Sequence, residues 1–168
     1  LEELKKRQLH PHEYLGGIAS NTQIIKQADV VLMLYLFKEE FSDSLIKANW
    51  DYYEKRTEHG SSLSACMYAL VACLINNPDW AYPYFMKSAL IDLTGNSKIY
   101  AGDIYIGGTH PASSGGAYMT AIFGFAGVTF KDDKIEVKPR LPKHWEKMSF
   151  KLLHNTKVIK IDVNKDKV

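Results

Sequence analysis

Apolar and polar positions change period near residue 127. From residue 22 to about residue 38, Ile24, Ile25, Ala28, Val31, Leu32 and Tyr35 follow helical spacing. Val30, Met33 and Leu34 fill the other faces, which predicts a helix buried on most sides. Ser20-Asn21-Thr22-Gln23 has the form of a capping box at its start. A shorter helix is expected over residues 41–50. Residues 62–74 are small and apolar and read as a further helix. Asn77-Pro78-Asp79 breaks the pattern, and residues 80–93 restart it with Pro83 placed in the first turn. Residues 115–125 form the last helical stretch, ended by Gly127. Beyond it the pattern alternates. Val128-Thr129-Phe130 and Ile135-Glu136-Val137 flank an Asp132-Asp133 turn and predict a hairpin. Residues 148–153 alternate in part. Ile159, Ile161 and Val163 alternate with Lys160 and Asp162, and Asn155-Thr156 is the turn between these two strands.

Composition narrows the class. The chain has 168 residues, 46% apolar and 24% charged, which suffices for a folded core and excludes a disordered tail. The net charge of +2 argues against a nucleic-acid binder. That sum hides an asymmetry: residues 131–168 carry +5 and residues 1–130 carry −3. The excess lysine suits the solvent face or edge of a small sheet. Cys66 and Cys73 are the whole thiol inventory. Seven residues apart on one helix, they are about 10 Å apart along its axis, too far for a disulfide. Free thiols fit a reducing, cytoplasmic compartment. The longest apolar run, residues 30–37, is far short of the roughly 20 residues of a membrane span, and no signal peptide is visible. The chain opens on Leu1 and closes on Val168 in a strand-like pattern. Both ends read as cuts, so a fragment is expected.

The chemistry concentrates in two loops. Arg56-Thr57-Glu58-His59-Gly60-Ser61-Ser62 runs straight into a helix. Helix N-termini offer unpaired N–H groups and the positive end of the dipole. Gly60 lets a ligand approach the backbone, and Ser61 and Ser62 add donors, so the loop suits an anion. Capping by either serine is the simpler alternative. Gly107 to Gly116 repeats the theme, with His110 and the Ser113-Ser114 pair before a helix. An ordinary Gly-rich turn with a cap explains it equally well. Pro111 keeps His110 out of helix, aiming its side chain from a loop. Lys26, near the start of a buried helix, must snorkel, pair with Asp29 or Glu58, or bind an anion. Glu58 suits acid/base work or sugar hydroxyls, or a salt bridge to Arg56 or Lys26. No zinc pattern, Walker loop, dinucleotide fingerprint or nucleophile elbow is present. No pair of catalytic carboxylates can be assembled.

Several blocks in order carry a resemblance. They are Thr22 to Val31, Tyr53 to Ser64, Gly108-Thr109-His110 through Gly116, and Gly124-Phe125-Ala126-Gly127. From about His12 onwards the chain resembles glycoside hydrolase family 65, inverting phosphorylases of disaccharides such as maltose, kojibiose, nigerose and trehalose. The resemblance implies a mainly α chain: the last helices of an (α/α)6 catalytic barrel over residues 1–127, then the start of a small, jelly-roll-like C-terminal β-sheet domain over 128–168.

It also implies phosphorolysis of an α-linked glucosyl disaccharide. A glutamic acid protonates the glycosidic oxygen while inorganic phosphate, a co-substrate rather than a cofactor, attacks the anomeric carbon from the opposite face. By similarity, Ser61, Ser62, His110, Ser113 and Ser114 line the phosphate site. Lys26 and Glu58 contact the sugar in the acceptor subsite, with Gln27 and His59 close by. The general acid and the donor-sugar residues lie upstream of these motifs. The chain alone is therefore expected to be inactive, with no metal, membrane or nucleic-acid partner. The remainder of the enzyme is its expected partner, in a homodimer when full length. A family hydrolase of the acid-trehalase kind, using water, is the alternative within the family. A non-catalytic helical carbohydrate-binding or interaction module is the alternative outside it. A piece of a helical toroid would also expose apolar helix faces such as residues 30–37.

Overall fold

The computed structural model describes residues 22–93, 99–101, 104–106 and 108–165. Helices come first: α1 (Asp29–Leu36), α2 (Asp43–Glu54), α3 (Ser64–Leu74), α4 (Pro78–Ala89) and α5 (Pro111–Met119). A 3-10 turn (Lys38–Glu40) follows α1, and α5 continues into a π-helical segment (Thr120–Phe125). A short antiparallel pair, β1 (Ile99–Ala101) and β2 (Ile104–Ile106), lies between α4 and α5. The C-terminal part holds two antiparallel hairpins. One is β3 (Val128–Lys131) with β4 (Lys134–Val137), the other β5 (Lys147–His154) with β6 (Lys157–Asn164). The chain is thus helical with small antiparallel sheets towards its C-terminus, as expected.

Helix α3 is the hub. Nine of its eleven residues are buried, and α1, α2, α4, α5 and the π segment all pack on it. Its all-round apolar character is what a central helix requires. Val31 and Leu34 of α1, Ile46 and Trp50 of α2, Tyr68 and Val71 of α3, and Phe125 form the helical core. Trp50 donates its indole N–H to the Tyr68 carbonyl at 3.0 Å and stacks on Trp80 at 5.1 Å. A second core joins Ile122, Ala126 and Val128 to Ile161 and Val163 of β6. Trp145 sits against Phe85 and Phe125 and links the hairpins to the helices.

Helices α3 and α5 touch at backbone distance. A Cβ added at Gly116 would lie 2.3 Å from Cys66 Sγ, and one at Gly124 would lie 3.1 Å from Cys73 Sγ. The contacts advance together along both chains, so the two helices run parallel. The spacing is seven residues in α3 and eight in α5 with its π segment. The wider π turn absorbs the extra residue. The Thr120 hydroxyl lies 2.9 Å from the Gly116 carbonyl and 3.4 Å from that of Cys66. Both cysteines are free and buried, and burial pushes the Cys73 thiol up to about 12.

Several element boundaries differ from the sequence expectation. No helix starts at residue 22. Residues 25–26 instead pair in parallel with residues 56–60: Ile25 N–H donates to the Arg56 carbonyl, Glu58 N–H to that of Ile25, and Gly60 N–H to that of Lys26. The Gln23 amide oxygen accepts from Arg56 and Tyr52 rather than serving a cap, and Ser20 lies outside the described residues. Helix α1 is buried on one side only; Leu36 and Phe37 are 63% and 57% exposed. Helix α2 runs four residues past the expected end, from a Ser42 cap that accepts from Leu45 N–H. Helix α4 starts with Asn77 as cap and Pro78 in its first turn, which leaves Pro83 inside the helix. Both C-terminal turns fall where expected. Their residues, Asp132-Asp133 and Asn155-Thr156, all have positive φ, the mirror-image turn that matches strand twist. Strand β6 ends at Asn164, with Lys165 in a turn.

Two neighbouring glycines test the tight contact. Gly116→Ala should cost about 1–3 kcal/mol of stability in urea unfolding, because the methyl group has no room. Gly115→Ala, with nothing within 4 Å of its added Cβ, should be neutral or stabilising by up to about 1 kcal/mol. Equal effects at the two positions would contradict the packing described.

Candidate active-site loops

The first loop is built by the short parallel pairing. It fixes Lys26 one residue from the paired Ile25 and lays its carbonyl on Gly60 N–H at 2.9 Å. Lys26, Glu58, His59 and Gly60 thereby become neighbours, although 32 positions separate Lys26 from Glu58. Lys26 precedes the helix rather than lying in it, and is exposed. Asp29 accepts from the Gln27 amide at 2.9 Å instead of meeting Lys26. Arg56 is occupied elsewhere. It stacks on Tyr52 at 3.7 Å, donates to Gln23, and donates to the Tyr52 carbonyl at 2.9 Å. Glu58 is half-buried.

His59 takes a left-handed backbone, φ 54°, uncommon for a residue with a side chain. Its Nδ1 pairs with the buried Ser64 hydroxyl at 2.8 Å. Its ring lies against Tyr68 at 4.9 Å and Tyr84 at 5.2 Å. Tyr84 donates to Glu54 Oε1 at 2.6 Å. Beneath the loop, Thr57 donates its hydroxyl proton to the Tyr53 carbonyl at 2.8 Å. Its oxygen is then the acceptor for the Tyr68 hydroxyl at 2.5 Å. Burial pushes the Tyr68 phenol well above its ordinary range, and the Thr57 bond offsets part of that shift.

Ser61 and Ser62 are half-buried at the entry to α3. The residue that precedes α3 is Leu63, and the Ser61 hydroxyl accepts a long bond from its N–H at 3.4 Å, two residues on. That bond has the form of the capping alternative at Ser61, though it is long.

The second loop enters α5. His110 is the N-cap, and its side chain does not cap. Asp92 instead takes both of its donors: Oδ2 accepts the His110 backbone N–H at 2.7 Å, and Oδ1 pairs with Nδ1 at 2.7 Å. These bonds hold the Asp92 carboxyl below the usual carboxylate range. Pro111 has no N–H, and Ser114 N–H already donates to the His110 carbonyl. Ala112 and Ser113 are left with N–H groups that have no carbonyl one turn back. The two serines diverge. Ser114 is exposed, whereas Ser113 is fully buried and its hydroxyl has no hydrogen-bond partner among the described residues.

Because α3 and α5 run parallel, both loops lie at the same end of the helix pair. The two sequence motifs are thus brought to one face of the fold. Sequence reasoning missed Ser64, Tyr68, Tyr84 and Asp92. Asp92 stands 18 residues before His110 with no local pattern joining them. The His59 to Ser64 spacing, from a loop into the first turn of a helix, was the one legible signal. Among the described residues no three His, Cys, Asp or Glu side chains could hold a metal ion. Among the described residues no helix is long and apolar enough to cross a membrane.

The sequence and the fold are both shared with known proteins. Residues 5–119 match the glycosyl hydrolase family 65 central catalytic domain, and residues 128–168 match the C-terminal domain of that family. The chain belongs to glycoside hydrolase family 65. Nigerose phosphorylase of Lachnoclostridium phytofermentans is 55% identical over 171 residues, covering 100% of this chain and 23% of that protein. Kojibiose phosphorylase of Caldanaerobacter subterraneus subsp. tengcongensis is 40% identical over 149 residues, covering 88% of this chain and 19% of that protein. A solved structure of a kojibiose phosphorylase candidate from the human microbiome superposes with a TM-score of 0.71 at 32% identity. That match covers 86% of this chain and 20% of the solved one. The chain therefore spans about a fifth of the length of its relatives.

The buried hydroxyl pair supporting the first loop is testable. Thr57→Val should destabilise by about 1–3 kcal/mol, because it strands the Tyr68 hydroxyl. Adding Tyr68→Phe should then cost less than it does alone. Urea unfolding of both single variants and the double variant measures the coupling. Strict additivity would contradict the bond.

Proposed function

We propose that this chain is the C-terminal part of an inverting glycoside phosphorylase, supplying the phosphate cradle and part of the acceptor subsite. The observation that carries this reading is the parallel packing of α3 and α5, with Gly116 against Cys66 and Gly124 against Cys73. It sets both loops at one end, where two helix N-termini favour an anion. The relatives' names support the substrate class: they include nigerose, kojibiose and trehalose phosphorylases, and one acting on glucosylglycerol.

Ser61, Ser62, His110 and Ser114 hold inorganic phosphate, assisted by the N–H groups that open α3 and α5. Ser113, buried beneath them, reaches the site only by a change of rotamer. Lys26 and Glu58 bind the acceptor sugar, with Gln27 and His59 at its edge. A glutamic acid outside this chain protonates the glycosidic oxygen. The bond from the anomeric carbon to that oxygen breaks, and a phosphate oxygen forms the new bond from the opposite face. The positive ends of the two helix dipoles hold the phosphate anion in place for the attack.

In this reading residues 1–127 are the last part of an (α/α)6 barrel and residues 128–168 begin a β domain. The change from helical to strand packing after the positive-φ Gly127 supports that division. The exposed apolar side of α1 supports burial against the rest of a barrel. The full-length enzyme is a cytoplasmic homodimer, and these residues alone turn nothing over.

The test is to incubate the full-length enzyme with α-linked glucosyl disaccharides, with and without inorganic phosphate, and follow products by phosphorus NMR. A sugar 1-phosphate of inverted configuration, formed only when phosphate is present, is the expected result. Release of free glucose at the same rate without phosphate would identify a hydrolase instead.

A further inference from the structure

We propose that Asp92 is a positioning residue of the phosphate site, gripping His110 by its backbone N–H and its Nδ1–H so that Nε2 is the nitrogen offered to the anion. This role rests on the phosphorolytic reading above and deepens it.

Both oxygens of one carboxylate are spent on one residue, at 2.7 Å each. Such a grip ties the imidazole to its own backbone and removes the freedom of both side-chain torsions. The His110 and Asp92 side chains are 15% and 23% exposed, and the pair lies at the surface of the fold, so the grip rests on its two-point geometry rather than on burial. Pro111 adds a second restraint from the other side, because it bars the preceding residue from helical backbone. His110 sits at φ −110°, ψ 67°, outside the helix it caps.

The chemistry then fixes the tautomer. An ionised carboxylate only accepts hydrogen bonds, so the proton between the two side chains belongs to Nδ1. The hydrogen bonds from His110 that hold Asp92 below the usual carboxylate range keep it ionised at neutral pH. Only Nε2 is then left to meet a ligand. A freely rotating histidine at the start of α5 would present either nitrogen. The gripped one presents a single atom in a single direction, which lowers the ordering cost of binding phosphate. A carboxylate this close to an anion site would ordinarily repel the ligand. Here its charge is turned onto His110 donors.

The test uses the full-length enzyme with Asp92→Ala, Asp92→Asn, His110→Ala and the Asp92→Ala/His110→Ala pair. Initial rates are measured against phosphate at saturating disaccharide, and the reverse, together with the melting temperature. KM for phosphate should rise about tenfold in both Asp92 variants, by analogy with the loss seen when a metal-ligating histidine loses the partner that orients it. Asparagine should not rescue, because its amide group can donate to Nδ1 and so permits the other tautomer. KM for the disaccharide should stay within about twofold, and Asp92→Ala should add nothing once His110 is alanine. An unchanged phosphate KM in both variants would overturn the role. So would a parallel loss of disaccharide affinity, melting temperature or folding, since the carboxylate would then be only a structural tie. Wild-type turnover that ignores phosphate would overturn the phosphorolytic reading itself, and this role with it.

Discussion

Everything at the candidate site depends on how closely two helices approach. Gly116 leaves no space for even a methyl group beside Cys66, and Gly124 leaves little beside Cys73. Two contacts in the same order force α3 and α5 to run side by side in the same direction. Helix N-termini are where unpaired N–H groups and positive dipole ends collect. Parallel helices bring two such ends together, whereas antiparallel neighbours would separate them. Small residues on both helices thus bring the two loops to one end of the pair. The π segment keeps the contacts in step by taking up one extra residue.

The loops are held by different devices. The first is set by a short parallel pairing that reaches across the chain from Ile25 to Thr57, and by a hydroxyl chain beneath it. The strained backbone of His59 persists because Ser64, Tyr68 and Tyr84 surround its ring. The second loop is held by a carboxylate on His110. In both cases a histidine leads into a helix, and its Nδ1 is engaged by a neighbour. The hairpins of the C-terminal part stand apart from this machinery. They support it through Trp145 and Phe125 at the base of the helical core.

Helix, strand and turn identities were largely legible in the sequence. The hydrophobic pattern placed α2 to α5 and both C-terminal hairpins, because burial on one side imposes a period that local chemistry also favours. The start of α1 was not legible. Residues 22–27 have helical spacing, yet their backbone groups find better partners in residues 56–60, and nothing local signals that pairing. The pair β1 and β2 was missed for a similar reason, being three residues long on each side. The candidate loops were recognised by composition, and the structure brings both to one end of the helix pair. What holds them was invisible, because Asp92, Tyr68 and Tyr84 act over distances that no motif spans. The buried state of Ser113, next to an exposed Ser114, also follows from helix rotation rather than from residue type.

The central claim is that two loops, joined only through helix packing, form one anion site. A crystal structure of the full-length enzyme with bound phosphate measures this directly. The account predicts one phosphate within hydrogen-bond distance of the Ser61-Ser62 loop and of His110 Nε2 at once, with α3 and α5 unmoved. A phosphate bound by one loop alone, or one meeting His110 through Nδ1, would contradict it.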